Sequence, residues 1–477
     1  MKSVLLINPN RIRPPVTPVG LDYVAAALEN QGFQVELLDL AWEADPLTAV
    51  REVLARQVYE AIGVSVRNTD DCCFATKDFL LPQIRDLVGL VKSLTESPVI
   101  LGGCGFSVMP EASLAYCGAD YGIIGDGEWA LAEFLKAVRQ GQNVLRTPGL
   151  VYRRGGRVVM NRPQYPDLAG LGSLKKRSVV DNRSYFHEGG QVGIETKRGC
   201  DRKCIYCADP LSKGGKLRLR PKSHVVHEME NLLAQGIDCF HLCDAEFNIP
   251  EEHAWELCRE ITKAGLGRHI RWYTYASPKP FSVELAQLMR EAGCAGINFG
   301  VDSAHPGILR TLGRDFGPAE IVAAVQACNQ AGIACMLDLL VGGPGETPET
   351  AAQTVRLVKG LAVTAVGAAV GIRIYPGTIL AKMVEREGFD LQNANLRGKV
   401  EGNEEYLEPV FYLSSGLGHD PEAYVAELVG PDRRFFFMSS DETARNYNYN
   451  QNQILIEAIR QGYRGAYWHI LRTIGGG

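Results

Sequence analysis

Short apolar runs separated by segments of helical periodicity fill the first third of the chain. Val4–Ile7, Val35–Leu38, Ala61–Val66, Val99–Leu101 and Gly122–Ile124 read as buried strands. Leu21–Gln31, Phe79–Thr95 and Glu128–Arg139 carry apolar residues three and four positions apart and read as amphipathic helices. Strand–helix alternation of this kind predicts an α/β unit over residues 1–145, with a doubly wound parallel sheet. Such sheets bind ligands beyond the carboxyl ends of their strands. The loops there are Asn8–Pro18, Arg67–Asp71, Gly102–Pro110 and Gly125–Glu128, and several of them carry glycine.

Residues 146–190, rich in Arg, Gly and Pro, read as a hairpin-containing connector. A second alternating series starts at Val192–Thr196 and continues with strands Cys239–Leu242, Arg271–Tyr275, Gly296–Val301, Ala334–Val341 and Ala368–Ile374. Six strand–helix units of about 30 residues each predict a partial (β/α)6 barrel over 191–385, resembling a TIM barrel, with its chemistry at the strand C-terminal face. The rhythm is lost after 386. Residues 386–477 read as a small α+β cap that shapes a substrate site, with an apolar run at Phe435–Met438 and a helix near Asn452–Gln461.

Composition narrows the class. Apolar residues make up 46% and charged residues 22%, the usage of an ordinary soluble domain protein. The net charge is −5 and the longest basic run is Lys175-Lys176-Arg177, so no nucleic-acid footprint is expected. The four consecutive apolar residues Val4–Ile7 are too few for a signal peptide or membrane span. Thirteen irregularly spaced cysteines fit a reducing cytoplasm better than a disulfide scaffold, and a monomer is expected.

One cysteine group has ligand spacing. Cys200, Cys204 and Cys207 fall within eight residues, directly after the first barrel strand. Three thiolates at that spacing can occupy three irons of a [4Fe–4S] cube and leave the fourth open. A three-ligand zinc site and unrelated buried thiols are the alternatives. Arg198, Arg202 and Lys203 would favour a reduced, more negative assembly there, or form a solvated loop.

Here the chain resembles the radical S-adenosylmethionine (SAM) superfamily, whose hallmark is CxxxCxxC with an aromatic residue before the third cysteine. His241–Asn248, ending the second strand, resembles the segment that receives the SAM amino group, with Asp244 and Glu246 as its acids. Asn298–Ser303 resembles a ribose-binding stretch through Asn298, Asp302 and Ser303. Leu340–Thr347, with Gly342, Gly343 and Pro344, is similar to the Gly/Pro segment beside adenine and methionine, and Arg373–Thr378 matches the end of the sixth strand.

The N-terminal unit resembles the Rossmann-like cobalamin-binding domain that precedes the barrel in many of these enzymes. Asn8, Pro9, Gly102, Gly103, Gly125, Gly127 and Glu128 carry that likeness, and a corrin, broad and flat, suits several glycine-bearing loops at once. No histidine precedes His187, so the motif that supplies an axial imidazole is missing, and a His-off cobalamin is expected. Arg67, followed by Asn68, is the candidate for the open face, unless it pairs with Asp70 or Asp71.

The resemblance implies a methyltransferase that moves a methyl group from SAM, via methylcobalamin, to a carbon centre of a small-molecule or peptide substrate. A flavodoxin or ferredoxin would be its electron donor. Three other readings share these features: a ring-forming or rearranging oxidoreductase, a methylthiotransferase with a second cluster on Cys72, Cys73, Cys104 and Cys117, and a cofactor sensor without turnover. Tyr273 or Tyr275, on one strand, and Trp272, Tyr447, Tyr449, Tyr467 and Trp468 are aromatic candidates for a substrate wall or for the core.

Overall fold

The structure is a computed structural model that describes residues 3–171, 177–438, 446 and 449–475. Lys175, Lys176 and Tyr447 lie outside the described residues. The first unit contains strands β1 (Val4–Asn8), β2 (Val35–Asp39), β3 (Ala61–Ser65), β4 (Val99–Gly102) and β5 (Tyr121–Ile123), followed by the hairpin β6 (Leu150–Arg154) and β7 (Arg157–Met160). They form one sheet in the order β2-β1-β3-β4-β5-β6-β7, parallel through β5 and antiparallel across the hairpin.

The uninterrupted apolar runs follow from burial on both faces. Leu5, Ile7, Ile62 and Val64 enter one core layer, and Val4, Leu6, Ala61 and Ile100 enter the other. The expected connector is therefore partly sheet: its hairpin pairs with β5 and completes the first unit. With β2 and β3 on either side of β1, the strand order reverses at β1/β3, the crevice where such sheets take their ligand.

In the second unit, β8 (Val192–Ile194) leads into a two-stranded ribbon, β9 (Lys197–Arg198) and β10 (Arg218–Leu219). Then come β11 (Cys239–Leu242), β12 (Arg271–Ala276), β13 (Cys294–Asp302), β14 (Ala334–Val341) and β15 (Ala365–Val370). A small antiparallel sheet of β16 (Ile372–Arg373), β17 (Leu396–Gly398) and β18 (Val410–Tyr412) follows, and β19 (Phe435–Phe437) comes last.

The barrel sheet runs β19-β15-β14-β13-β12-β11-β8, all parallel. Two sequence expectations change here. The sixth strand ends at Val370, because Gly371 at φ +81° turns the chain out into the small sheet. The Phe435–Phe437 run then supplies a seventh strand from the C-terminal region. The helix Tyr467–Ile474 closes the floor of the barrel. Trp468 meets Tyr273 edge-on, and the Tyr273 hydroxyl is 2.9 Å from His469 Nδ1. Gly296 leaves room for this packing, since a Cβ there would lie 2.7 Å from the Tyr273 ring and 3.2 Å from Trp468.

The two units are joined by buried ions. Arg177, its side chain 1% exposed, pairs through Nε with Asp22 at 2.7 Å and through Nη1 with Glu228 at 3.2 Å. Arg220 reaches Glu228 at 2.8 Å, and Tyr23 donates to the same carboxylate at 3.0 Å. Helix Val19–Asn30 of the first unit is thereby tied to helix Lys222–Ala234 of the barrel. Breaking one partner of a buried pair leaves a charge uncompensated, at a cost of about 3–5 kcal/mol. Arg177→Ala is therefore expected to lower the unfolding free energy by that order, read as a fall in the denaturant midpoint. An unchanged midpoint would mean that the seam contributes nothing to stability.

Candidate active site

Ribbon β9–β10 closes the base of an excursion that carries the three ligand-spaced cysteines. The turn into it requires glycine: Gly199 sits at φ +86°, and a Cβ would stand 2.1 Å from the Lys216 carbonyl oxygen. The loop is pinned from behind, with Ile205 N–H donating to Leu312 O at 3.1 Å and Leu380 N–H donating to Ile205 O at 2.8 Å. Cys200, Cys204 and Cys207 then line one cavity of about 130 Å³ with Tyr206, Glu246 and Arg314.

All three are free thiols, and burial pushes Cys204 up to about 11 and Cys207 up to about 12. Among the described residues, no three His, Cys, Asp or Glu side chains are grouped as ligands of a single metal ion. The thiols instead ring a space, as a multi-iron cube requires and a tetrahedral zinc ion does not.

Lys197 Nζ donates to the carbonyls of Glu246 and Phe247 at 2.7 and 2.8 Å and shapes the loop after β11. Arg314 Nη1 reaches Glu246 Oε1 at 3.3 Å, while the buried Glu246 Oε2 has no partner. The same guanidinium binds Asp302 through Nε and the Tyr206 hydroxyl at 2.7 Å, and Tyr206 donates to Asp302 at 2.7 Å. Asp302 holds a left-handed backbone at φ +62°, a conformation that costs energy in a non-glycine residue and here lies beside the cysteine cavity.

Several other sequence candidates have side chains engaged in the framework. Asp244 accepts the Thr196 and Lys197 N–H groups at 2.9 and 3.2 Å and the Thr196 hydroxyl, leaving Glu246 as the acid turned to the cavity. The Ser303 hydroxyl, fully buried, lies 3.0 Å from that of Thr354. The Gly342 and Gly343 amides donate to Glu346 at 2.6 and 3.2 Å, and Pro344 is buried beside them. Arg373 pairs with Asp70 at 2.9 Å, and Glu128, with Asp126, pairs with Arg198. Asn8 donates to Asp39 at 2.8 Å and to Tyr185 at 3.0 Å.

Half-buried Pro9, Arg67 and Asn68 flank the β1/β3 crevice. Arg67 makes no ion pair among the described residues. Asp70 pairs with Arg373 instead, and Asp71 accepts the N–H groups of Cys73 and Asp78. The glycines differ in what they permit. A Cβ on Gly103 would strike Val66 O at 2.6 Å, and one on Gly125 the Tyr165 ring at 2.9 Å, so both are required by internal packing. Gly127 would meet Val24 at 3.1 Å, whereas Gly102 faces open space.

The barrel wall above its floor brings residues of three sequence segments together with Asp338, which the sequence patterns did not single out. His241, Tyr275, Asn298 and Asp338 lie on four neighbouring strands, β11 to β14. Tyr275 is 43% exposed although it stands on a central strand, so an open space lies against it. His241 packs edge-on to Tyr275 at 5.4 Å, and Tyr449 stands 5.3 Å from Tyr467. Burial raises the Tyr275 phenol well above its usual range, with Asp338 and Tyr449 adding to the shift and Arg67 opposing it. Trp272 and Trp468 belong to the core. Cys72 and Cys104 are exposed while Cys73 and Cys117 are buried.

Residues 9–135 match the B12 binding domain family, and residues 194–358 match the Radical SAM superfamily. The tryptophan 2-C-methyltransferase of Streptomyces laurentii is 30% identical over 98% of this chain and 95% of its own. The chain belongs to the cobalamin-dependent radical SAM methyltransferases. The methyltransferase TsrM from Kitasatospora setae, solved with tryptophan and a SAM analogue, superposes with a TM-score of 0.93 at 32% identity, covering 99% of this chain and 98% of that one. Its structure with cobalamin and a [4Fe–4S] cluster gives a TM-score of 0.90 at 31% identity.

As a member of this family, the chain uses a [4Fe–4S] cluster, SAM and cobalamin. Its residues fit all three. The free thiols ring a cavity, the buried Glu246 Oε2 beside them has no partner, Tyr275 on the barrel wall is exposed, and Gly102 at the crevice faces open space. Among the described residues, no helix is long and apolar enough to cross a membrane.

Replacing Cys204 with Ala removes one ligand from the cluster loop and leaves the B12-binding sheet untouched. Iron in anaerobically reconstituted protein is expected to fall from about four per chain toward zero, with corrin content unchanged. Retention of full iron would remove Cys204 from the ligand set.

Proposed function

We propose that the chain methylates C2 of the indole ring of tryptophan, free or within a small molecule. The observation that carries this reading is likeness along nearly the whole chain to a tryptophan 2-C-methyltransferase. The barrel interior supports it. His241, Tyr275, Tyr449 and Tyr467 offer aromatic faces and edges suited to a flat heteroaromatic ring. Burial lowers His241 to about 4, so this wall is neutral at physiological pH.

When bound, cobalamin carries the methyl group between SAM and the acceptor carbon, and the cluster supplies low-potential electrons. The protein's own groups hold and orient. Cys200, Cys204 and Cys207 are the cluster ligands, and Arg314 fixes Glu246 beside them. Arg67 presents a permanent positive charge at the crevice and has no lone pair to give a metal, so it would offer a corrin held there a cation rather than a ligand. Asn298 and the Asp302–Tyr206–Arg314 group form the polar rim between the aromatic wall and the cluster loop.

An indole carbon is nucleophilic as it stands, so the transfer is read as polar: the carbon accepts the methyl group as a cation equivalent and then releases its own hydrogen as a proton, with no hydrogen-atom abstraction and no net change of oxidation state in the protein. A flavodoxin or ferredoxin is the matching source of electrons. The thirteen free thiols suit the cytoplasm.

The test is anaerobic turnover of the reconstituted protein with methyl-labelled SAM and tryptophan. The expected products are labelled 2-methyltryptophan and S-adenosylhomocysteine. Unlabelled tryptophan would overturn the substrate, and 5′-deoxyadenosine formed one-for-one with methylated product would overturn the polar route.

A further inference from the structure

Asp338 is a carboxylate without a counter-charge. It sits on β14 opposite Gly300 of β13, and Gly300 and Tyr275 both line the cysteine cavity. One oxygen, Oδ2, accepts the Asn298 amide at 3.1 Å, while Oδ1 has no hydrogen-bond partner among the described residues. No Lys, Arg or His lies within ion-pair distance of it in that set. The one other charge that registers at Asp338 is the carboxylate of Asp302.

Its neighbours along the inner wall differ in kind. Met336, on the same face one turn of the pleat lower, is apolar, and Tyr275 presents a ring. The framework acids of this protein have partners: Asp22, Asp70, Asp126, Glu128 and Glu228 each pair with arginine, and Asp244 takes backbone amides. Asp338 has the opposite character, desolvated and unpaired, and burial pushes it up to about 7. A half-buried carboxylate left without a counter-charge is unfavourable for folding, and an incoming cation relieves it.

We propose that Asp338, oriented by Asn298, is the subsite that binds the protonated amine of the substrate. This rests on the tryptophan reading and deepens it. The indole lies against Tyr275 and His241, and its side-chain ammonium donates to Oδ1 at the boundary with the cluster loop. The site selects amino acids and amines over deaminated indoles, because an indole acid would bring a second negative charge to Asp338.

Binding to anaerobically reconstituted holoprotein tests this without turnover. Equilibrium dialysis with tryptophan, tryptamine and indole-3-propionate compares ligands with and without the amine. Wild type is expected to bind tryptophan and tryptamine about tenfold or more tighter than indole-3-propionate. Asp338→Asn should weaken the two amines by about that factor and leave indole-3-propionate bound at least as tightly as before, since a like charge is removed, which also reports that the pocket is intact.

Equal weakening of all three ligands, no weakening, or a loss confined to SAM binding would overturn the assignment. If wild type holds indole-3-propionate as tightly as tryptamine, the anchor is wrong and the tryptophan reading stands. If wild type binds none of the three, the tryptophan reading fails and takes the anchor with it.

Discussion

Buried arginines at the junction of the two α/β units set the geometry on which everything else depends. Arg177, Arg198, Arg218, Arg220 and Arg373 carry positive charge into a region that excludes water, and the acids that meet them come from both units. A guanidinium left alone there would cost several kcal/mol, so neither surface is stable apart from the other. Asp22, Asp70, Asp126 and Glu128 of the sheet unit each hold an arginine from beyond it. The result is a docking that cannot slide. The β1/β3 crevice is held facing the barrel mouth by these pairs.

Much of this architecture was legible because both sheets are parallel and covered on both faces. Such strands appear as unbroken apolar runs, and β11 and β14 begin and end where the sequence pattern places them. The extra strand β19 was legible as an apolar run, though not as a barrel strand, because its pairing partner is decided by a chain that returns only after the small sheet and further helices. The hairpin after residue 146 was misplaced for the same reason: it reads as linker composition yet pairs with an edge.

At the site, the cysteine spacing is local and was readable, while the roles of the acids were not. Asp244 and Glu246 stand two residues apart in one motif. Asp244 is taken by the backbone of the neighbouring strand, and Glu246 keeps a free oxygen in the cavity. Only the register of β11 against β8 separates them. Arg314 follows a short helix with nothing in its surroundings to mark it. Asp338 did leave a trace, a lone charge in the apolar run Ala334–Val341, and a charge on an inward strand position needs either a partner or a ligand.

The floor beneath Tyr273 shapes traffic as well as packing. With the helix Tyr467–Ile474 seated against the lower end of the barrel, the reaction chamber is a vessel with a bottom. The cavity lined by Cys200, Cys204 and Cys207 lies at the opposite, C-terminal end of the strands, so the end of the barrel that carries the chemistry is the end this helix leaves uncovered.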